Sequence, residues 1–90
     1  MAIDIKKSHS KPLAEAKTIA NELAQDLSER FGVHYQWEGD HLHFERMGVS
    51  GNIQVTSKEV HVTAHLNFFI SHLEPAVIDE VNRYLDEHFS

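Results

Sequence analysis

The sequence contains no cysteine, and that absence removes several classes of function. Without thiols the protein can form no disulfide, no thiolate metal site and no cysteine nucleophile. No segment approaches the roughly 18 consecutive apolar residues of a membrane span, and the N-terminal residues lack the apolar core of a signal peptide. We therefore predict a soluble, cytoplasmic protein without a membrane span.

Basic residues are scarce as well. Eight lysines and arginines stand against fourteen acidic residues, which gives a formal net charge of -6. Binding to nucleic acid depends on a basic stripe that neutralises phosphates, so this balance predicts no nucleic-acid partner. Four lysines do occur before Ala20, and we interpret them as solvated charges at a strand end and a helix start.

The motifs of common enzymes are missing too. There is no HExxH pair, no glycine-rich phosphate loop and no strand-to-helix Gly-x-Ser-x-Gly elbow. Ser50 has Gly48 and Gly51 close by, but in a turn-to-strand context that does not suit a nucleophile. Ninety residues suffice for one domain with a modest core, so we predict a single non-enzymatic domain, residues 1–90, with no cofactor and no metal.

Alternation of apolar and polar residues is clearest around the dipeptide Gly39-Asp40. A two-residue turn at this dipeptide would place Trp37 opposite Leu42 and Tyr35 opposite Phe44. Every large apolar residue of the segment then lies on one face, and every polar residue lies on the other. The pattern predicts a β-hairpin whose sheet has one dry face.

The segments before this hairpin predict a strand and a helix. The residues from Ala2 to Lys7 alternate like a short strand, and Ser10 is a candidate helix N-cap. Apolar residues then recur at three-and-four spacing from Leu13 to Phe31, which is typical of an amphipathic helix. Gly32 follows at the position where helices often end with a residue in the left-handed conformation.

The segments after the hairpin predict two more strands and a second helix. Alternation from Val49 to Thr56 and from Val60 to Phe68 predicts strands, with Phe68 facing the core. Gly51 within the first of these indicates either a bulge or the close approach of a helix. The spacing Ser71-His72-Leu73-Glu74 matches a capping box at the start of the last helix.

The order of elements is therefore β-α-β-β-β-β-α. We predict an α+β fold, a two-layer sandwich in which an antiparallel sheet of about five strands carries both helices on one face. No third layer exists to cover the other face, and the outer strands have open edges. Small domains often resolve this situation by self-association, so we also expect a homodimer.

Several histidines project from the predicted open face: His34, His41, His43, His61 and His65. The residues support three interpretations, namely a solvated polar face, a surface for a partner or anion, and a metal site. No ligand motif is present, so we predict no metal here. A further feature is that Phe69 points outward if the last strand continues. Phe69 and Ile70 then either expose an apolar patch or are buried beneath the following helix. The candidate partner surface comprises His34, His43, His61, His65, Phe69 and Ile70.

The centre of the chain also carries the pattern Trp37-Glu38-Gly39-Asp40-x-Leu42-x-Phe44-x-Arg46-x-Gly48-Val49-x-Gly51-x-Ile53. This pattern resembles the small bacterial proteins of the polyhydroxyalkanoic acid system (granule-region) family. The resemblance extends to His9-Ser10 before the first helix and to Leu66-x-Phe68 before the second. Lys11 and Pro12 depart from the leucine and glycine of the family pattern, and Asn67 stands where a glycine is usual.

The resemblance implies a link to polyhydroxyalkanoate storage but carries over no catalytic residue. It favours a non-enzymatic accessory protein whose partners are the granule surface, a polyhydroxyalkanoate synthase or a granule-associated protein. A cytoplasmic, granule-associated location would follow. The alternatives are a general protein-interaction domain and a small helix-grip-like domain that binds or hydrolyses a ligand. Arg46 lies on the core face near a strand end, where it either caps a helix C-terminus or anchors an acidic group.

Overall fold

The computed structural model describes residues 2–89, except for the side chain of Phe69. Within these residues the strands are β1 (Ala2–Ser8), β2 (His34–Glu38), β3 (His41–Arg46), β4 (Val49–Val55) and β5 (Glu59–Leu66). The helices are α1 (Leu13–Phe31) and α2 (Glu74–Phe89), and a short 3-10 helix (Phe68–Leu73) leads into α2. The predicted α+β order is confirmed.

The five strands form one antiparallel sheet in the order β1-β5-β4-β3-β2. Strands β2 to β5 follow one another as hairpins, and β1 pairs with β5, so β1 and β2 are the two edges. The predicted hairpin register is confirmed, because Trp37 pairs with Leu42 and Tyr35 with Phe44. Gly39 supplies the turn with a φ of 62°, a conformation that favours glycine.

The hydrophobic core lies between one face of the sheet and the two helices. Each strand contributes every second residue to this core, and α1 contributes the apolar residues that recur every three or four positions. This is the arrangement expected for a sheet with one buried face. The largest fully buried side chains are Leu23, Leu27, Leu42, Ile53, Leu66, Leu85, Val55, Val60, Val62 and Val81. The opposite face of the sheet carries no described helix, and its side chains are half-buried or exposed.

The start of α1 differs from the prediction that Ser10 is its N-cap. The helix begins at Leu13, and the residue before it, Pro12, makes no side-chain capping bond. Pro12 is extended, with ψ at 148°, and its carbonyl accepts the first helical bond from Ala16 N at 2.9 Å. Proline fixes φ and disfavours a helical conformation in the residue before it, so the helix cannot extend back to Ser10.

The end of β5 also differs from prediction, because Phe68 does not face the core. The strand stops at Leu66, and the amide of Asn67 donates to Gly48 O at 2.9 Å in the last bond of this pairing. Beyond that point β4 offers no partner, so the chain bends into the 3-10 helix and leaves Phe68 86% exposed. The predicted capping box is wrong, because α2 begins only at Glu74, whereas the box would place Glu74 three residues after the N-cap. Ser71 instead donates to Phe68 O at 3.0 Å and stabilises the 3-10 turn.

Gly51 does not lie in the predicted bulge, and the atoms nearest to the place of its Cβ belong to neighbouring strands. The pairings of β4 run without interruption on both sides, so no bulge is present. The space beside Gly51 is filled by the ring of its cross-strand partner Phe44, whose Cε2 lies 2.7 Å from the place of a Cβ. The backbone carbonyl oxygen of Thr63 lies 2.5 Å from the same place, so a larger residue here would clash with the ring and with the backbone of β5.

Candidate functional site

The open side of the sheet is a polar surface that we call the histidine face. Alternation of side chains along each strand places every second residue here. Its members are Asp4, Lys6, His34, Gln36, Glu38, His41, His43, Glu45, Ser50, Asn52, Gln54, His61, Thr63 and His65. The face contains no large apolar side chain, so it is not an extension of the core.

The register brings the histidines into rows that run across the strands. His61 pairs with Gln54 and Gln54 with His41, so the two imidazoles lie on either side of one glutamine. These three residues line a shallow, open depression together with Asn52 and Thr63. The depression offers hydrogen-bond donors and acceptors, but it is shallow and has no distinctive shape.

Three histidines of the face lie close to an oxygen of a neighbouring side chain. His61 Nε2 is 2.6 Å from Asp4 Oδ1 on β1. His43 Nδ1 is 3.4 Å from Asn52 Oδ1 on β4. His41 Nε2 is 3.6 Å from Glu38 Oε2, across the hairpin. Among residues 2–89, no group of three or more His, Asp or Glu side chains is arranged to hold a metal ion. The face is suited to hydrogen bonding with another polar surface.

The structure divides the residues of the predicted partner surface between two places. His34 and His65 lie exposed on the histidine face, beside half-buried His43 and His61. Ile70 lies in the 3-10 helix and packs, half-buried, against the core. The backbone of Phe69 belongs to the same 3-10 helix, and its side chain lies outside the described part of the chain. The four histidines therefore share one surface, and Ile70 does not belong to it.

Sequence reasoning missed a second surface, which we call the apolar tip and define by Met47 and Phe68. These are the exposed large hydrophobic side chains among the described residues, at 91% and 86% exposure. The bond from Asn67 N to Gly48 O holds the β3–β4 turn beside the start of the 3-10 helix, so both residues lie at the same end of the sheet. The available signal was weak: Met47 precedes a turn glycine, and Asn67 is a residue that often ends a strand.

Arg46, whose role the sequence left open, caps a helix. Its Nη1 donates to Phe31 O at 2.7 Å, and Phe31 is the last residue of α1. A cation at this position satisfies a terminal carbonyl and opposes the negative end of the helix dipole. Arg46 therefore stabilises the end of α1, and among residues 2–89 it forms no ion pair with an acidic side chain.

The space between sheet and helices is small where the structure describes the residues that line it. It contains an apolar cavity of about 20 Å³, lined by residues that include Leu27, Phe44, Leu66 and Val77. A cavity of this size holds about one water molecule, whereas small-molecule sites typically enclose roughly 300–1,000 Å³. A helix-grip pocket would need a far larger opening between the layers.

Charged groups with shifted pKa values lie between the two helices. Glu80, 8% exposed, forms ion pairs with Arg30 at 3.0 Å and with Arg83 at 2.7 Å. The hydrogen bond to Glu80 raises the pKa of Arg83 above its usual range. Burial, together with the carboxylate of Glu22, raises the pKa of Tyr84 to about 12. The contacts of Glu80 with Arg30 and of Tyr84 with Glu22 join α1 to α2, and that of Glu80 with Arg83 lies within α2, so we assign the whole set to the stability of the helix layer.

Comparison with known proteins identifies the family. A family model described as "Putative polyhydroxyalkanoic acid system protein" matches residues 3–89. The chain belongs to this family. No curated protein shows significant similarity to it. The family description places the chain in the polyhydroxyalkanoate system and names no reaction.

The glycines and large apolar residues that carry the family resemblance are mostly turn and core positions in the structure. Gly39 and Gly48 have φ values of 62° and 87° in the two turns that flank β3. Leu42, Phe44 and Ile53 are 0–2% exposed. The motif of this family member therefore specifies a hairpin and its packing. No described helix is long and apolar enough to cross a membrane.

Proposed function

We propose that the protein is a non-enzymatic accessory protein of polyhydroxyalkanoate storage that contacts the granule. In this proposal the apolar tip meets the granule surface. The histidine face meets a polar partner, either a polyhydroxyalkanoate synthase or another granule-associated protein. The protein would then exchange between the cytoplasm and the granule. The observation that carries the proposal is the pair of exposed apolar side chains, Met47 and Phe68, in a member of this family.

The physical argument concerns the cost of exposing these side chains. A polyhydroxyalkanoate granule presents a water-insoluble polyester behind its surface layer, so it offers an apolar phase to any exposed hydrophobic group. Moving a Met or Phe side chain out of water contributes about 1.5–3 kcal/mol. Two such side chains at one end of a domain with net charge -6 give a weak, reversible attachment that leaves the charged surface in water.

Cell fractionation tests this proposal. Cells that accumulate polymer are lysed, and the granules are separated from the soluble fraction by density. We expect the unsubstituted protein in the granule fraction, and we expect the double variant Met47→Ser/Phe68→Ser to shift to the soluble fraction. Gln25→Ser, an exposed substitution on α1 away from the tip, serves as the matched control and should remain with the granules.

The same experiment separates the alternatives. Unsubstituted protein found only in the soluble fraction, with granules abundant, would contradict granule contact and favour a general interaction domain. Retention of the double variant on granules would contradict the role of the tip. The helix-grip alternative draws no support from the apolar cavity of about 20 Å³.

A further inference from the structure

Strand β2 offers an open edge with a defined set of backbone groups. Val55 N donates to Asp40 O at 3.0 Å, which fixes which residues of β3 bond to β4 and which bond to β2. The residues of β2 that bond to β3 are then His34, Gln36 and Glu38, the partners of Glu45, His43 and His41. The amide and carbonyl groups of Tyr35 and Trp37 therefore point away from the sheet, toward the open edge.

A second copy of β2, turned by 180° so that it runs antiparallel to the first, has side chains that are complementary to those of the first. We propose that two copies of this chain pair through β2, antiparallel and centred on Gln36, to form one continuous sheet of ten strands. Tyr35 of each copy lies opposite Trp37 of the other, and His34 lies opposite Glu38. Because Tyr35 and Trp37 are the residues with outward backbone groups, this register forms four main-chain hydrogen bonds. The proposal does not depend on granule contact.

The histidine face continues without interruption across this interface. Within one chain, Glu38 pairs with His41 and His34 pairs with Glu45. Across the interface Glu38 meets His34 of the second copy. The resulting row alternates between imidazole and carboxylate, in the order His41, Glu38, His34 and Glu45. A neutral imidazole has one N–H to donate, which His34 can give to Glu38 of the second copy, and no two carboxylates are adjacent.

The covered side of the sheet is complementary as well. Tyr35 and Trp37 are only half-buried, because α1 leaves the edge partly uncovered. Trp37 is held in place by a 2.9 Å hydrogen bond from its Nε1 to Asn21 Oδ1, and Lys17 Nζ lies 5.1 Å from its ring centre. An open hollow lies beside this ring. Tyr35 of the second copy enters the hollow and gives an aromatic cross-strand pair.

Strand β1, the other edge, is less suited to pairing with itself. Centring a pair on Ile5 would set Asp4 opposite Lys6, but it would also set the buried Ile3 opposite Lys7. Lys7 is held by α2 through a 3.1 Å ion pair with Asp86. Lysines on an edge strand are a common protection against pairing, and β2 contains none.

Charge-exchange variants of the full chain test the interface. Five residues on each side make a small contact area, so the dimer is weak and the mass measured by sedimentation should rise with concentration from 10.3 kDa toward twice that value. Glu38→Lys places lysine opposite His34, and His34→Glu places glutamate opposite Glu38. We expect each single variant to dimerise at least about tenfold more weakly. An equimolar mixture of the two should recover the dimer, because the mixed dimer sets the new lysine opposite the new glutamate and keeps one unsubstituted pair of His34 with Glu38.

Lys6→Glu, on the open face of β1, is the matched control and should dimerise like the unsubstituted chain. Circular dichroism on every variant verifies that the fold is retained, as expected for exposed positions. Recovery in the mixture, with neither variant dimeric alone, supports the β2 interface. A mass that stays at 10.3 kDa at the highest soluble concentration would overturn it. So would loss of the dimer in Lys6→Glu, or an unchanged dimer in Glu38→Lys.

Discussion

The two faces of the sheet are made by the same strands, and neighbouring residues fall on opposite faces, yet the faces obey different constraints. On the covered face Leu42, Ile53 and Val62 are at most 1% exposed and packed against the helices. On the open face His43 and Gln54 make few or weak contacts and remain accessible. One face determines whether the chain folds. On the other face we expect the side chains to contribute little to stability.

The strongest test of this contrast replaces two adjacent residues of β3. Leu42→Ala removes a fully buried side chain and should lower the free energy of unfolding by about 2–5 kcal/mol. His43→Ala, one residue away on the open face, should change it by less than about 0.5 kcal/mol. Urea denaturation followed by circular dichroism measures both. Similar losses for the two variants would mean that the open face also determines stability.

A second pair of neighbours lies on β4. Gly51→Ala adds a methyl group that meets both the ring of Phe44 and the carbonyl oxygen of Thr63, and should cost about 1–3 kcal/mol through overpacking. Ser50→Ala on the open face is the control and should be nearly neutral. The double variant Gly51→Ala/Phe44→Leu should lose less free energy of unfolding than the sum of the losses of the two single variants. Strict additivity in this double-mutant cycle would contradict the contact between ring and glycine.

The smallest effect is expected for the last two residues of β3. Arg46→Ala removes the bond to Phe31 O and should cost about 0.5–1 kcal/mol, because the side chain is exposed and solvent weakens the interaction. Glu45→Ala, which faces the open side, should cost less. Thermal unfolding of the two variants in the same buffer makes the comparison. If Glu45→Ala proved the more damaging, the cap on α1 would not be the role of Arg46.

The sequence alone predicted the layers and the hairpin well, since these depend on local alternation. Trp37, Leu42 and Phe44 lie where period two places them because β2 and β3 are joined by a two-residue turn. The error at Phe68 has a non-local cause. The alternation of apolar and polar residues continues in the sequence as far as Phe68. The partner strand β4 does not extend that far, because the turn at Gly48 ends the pairing. The position of a strand end depends on its neighbour.

The candidate surfaces were predictable to different degrees. The alternation of side chains along each strand was sufficient to place His34 and His65 on the open face. It did not reveal the 2.6 Å contact between His61 and Asp4, which depends on the pairing of strands from opposite ends of the chain. The apolar tip was missed because Phe68 belongs to it, and the exposure of Phe68 follows from where β5 stops.

The place of β1 in the sheet has a consequence for the order of folding. Strands β2 to β5 are joined by short turns and can zip together in sequence, with little loss of chain entropy at each step. Ile3 pairs with Ala64, so β1 needs β5 as its partner and must close a much longer loop than any of the hairpins. We expect β1 to be the last strand to become protected from hydrogen exchange during refolding, and the first to open when the protein is heated.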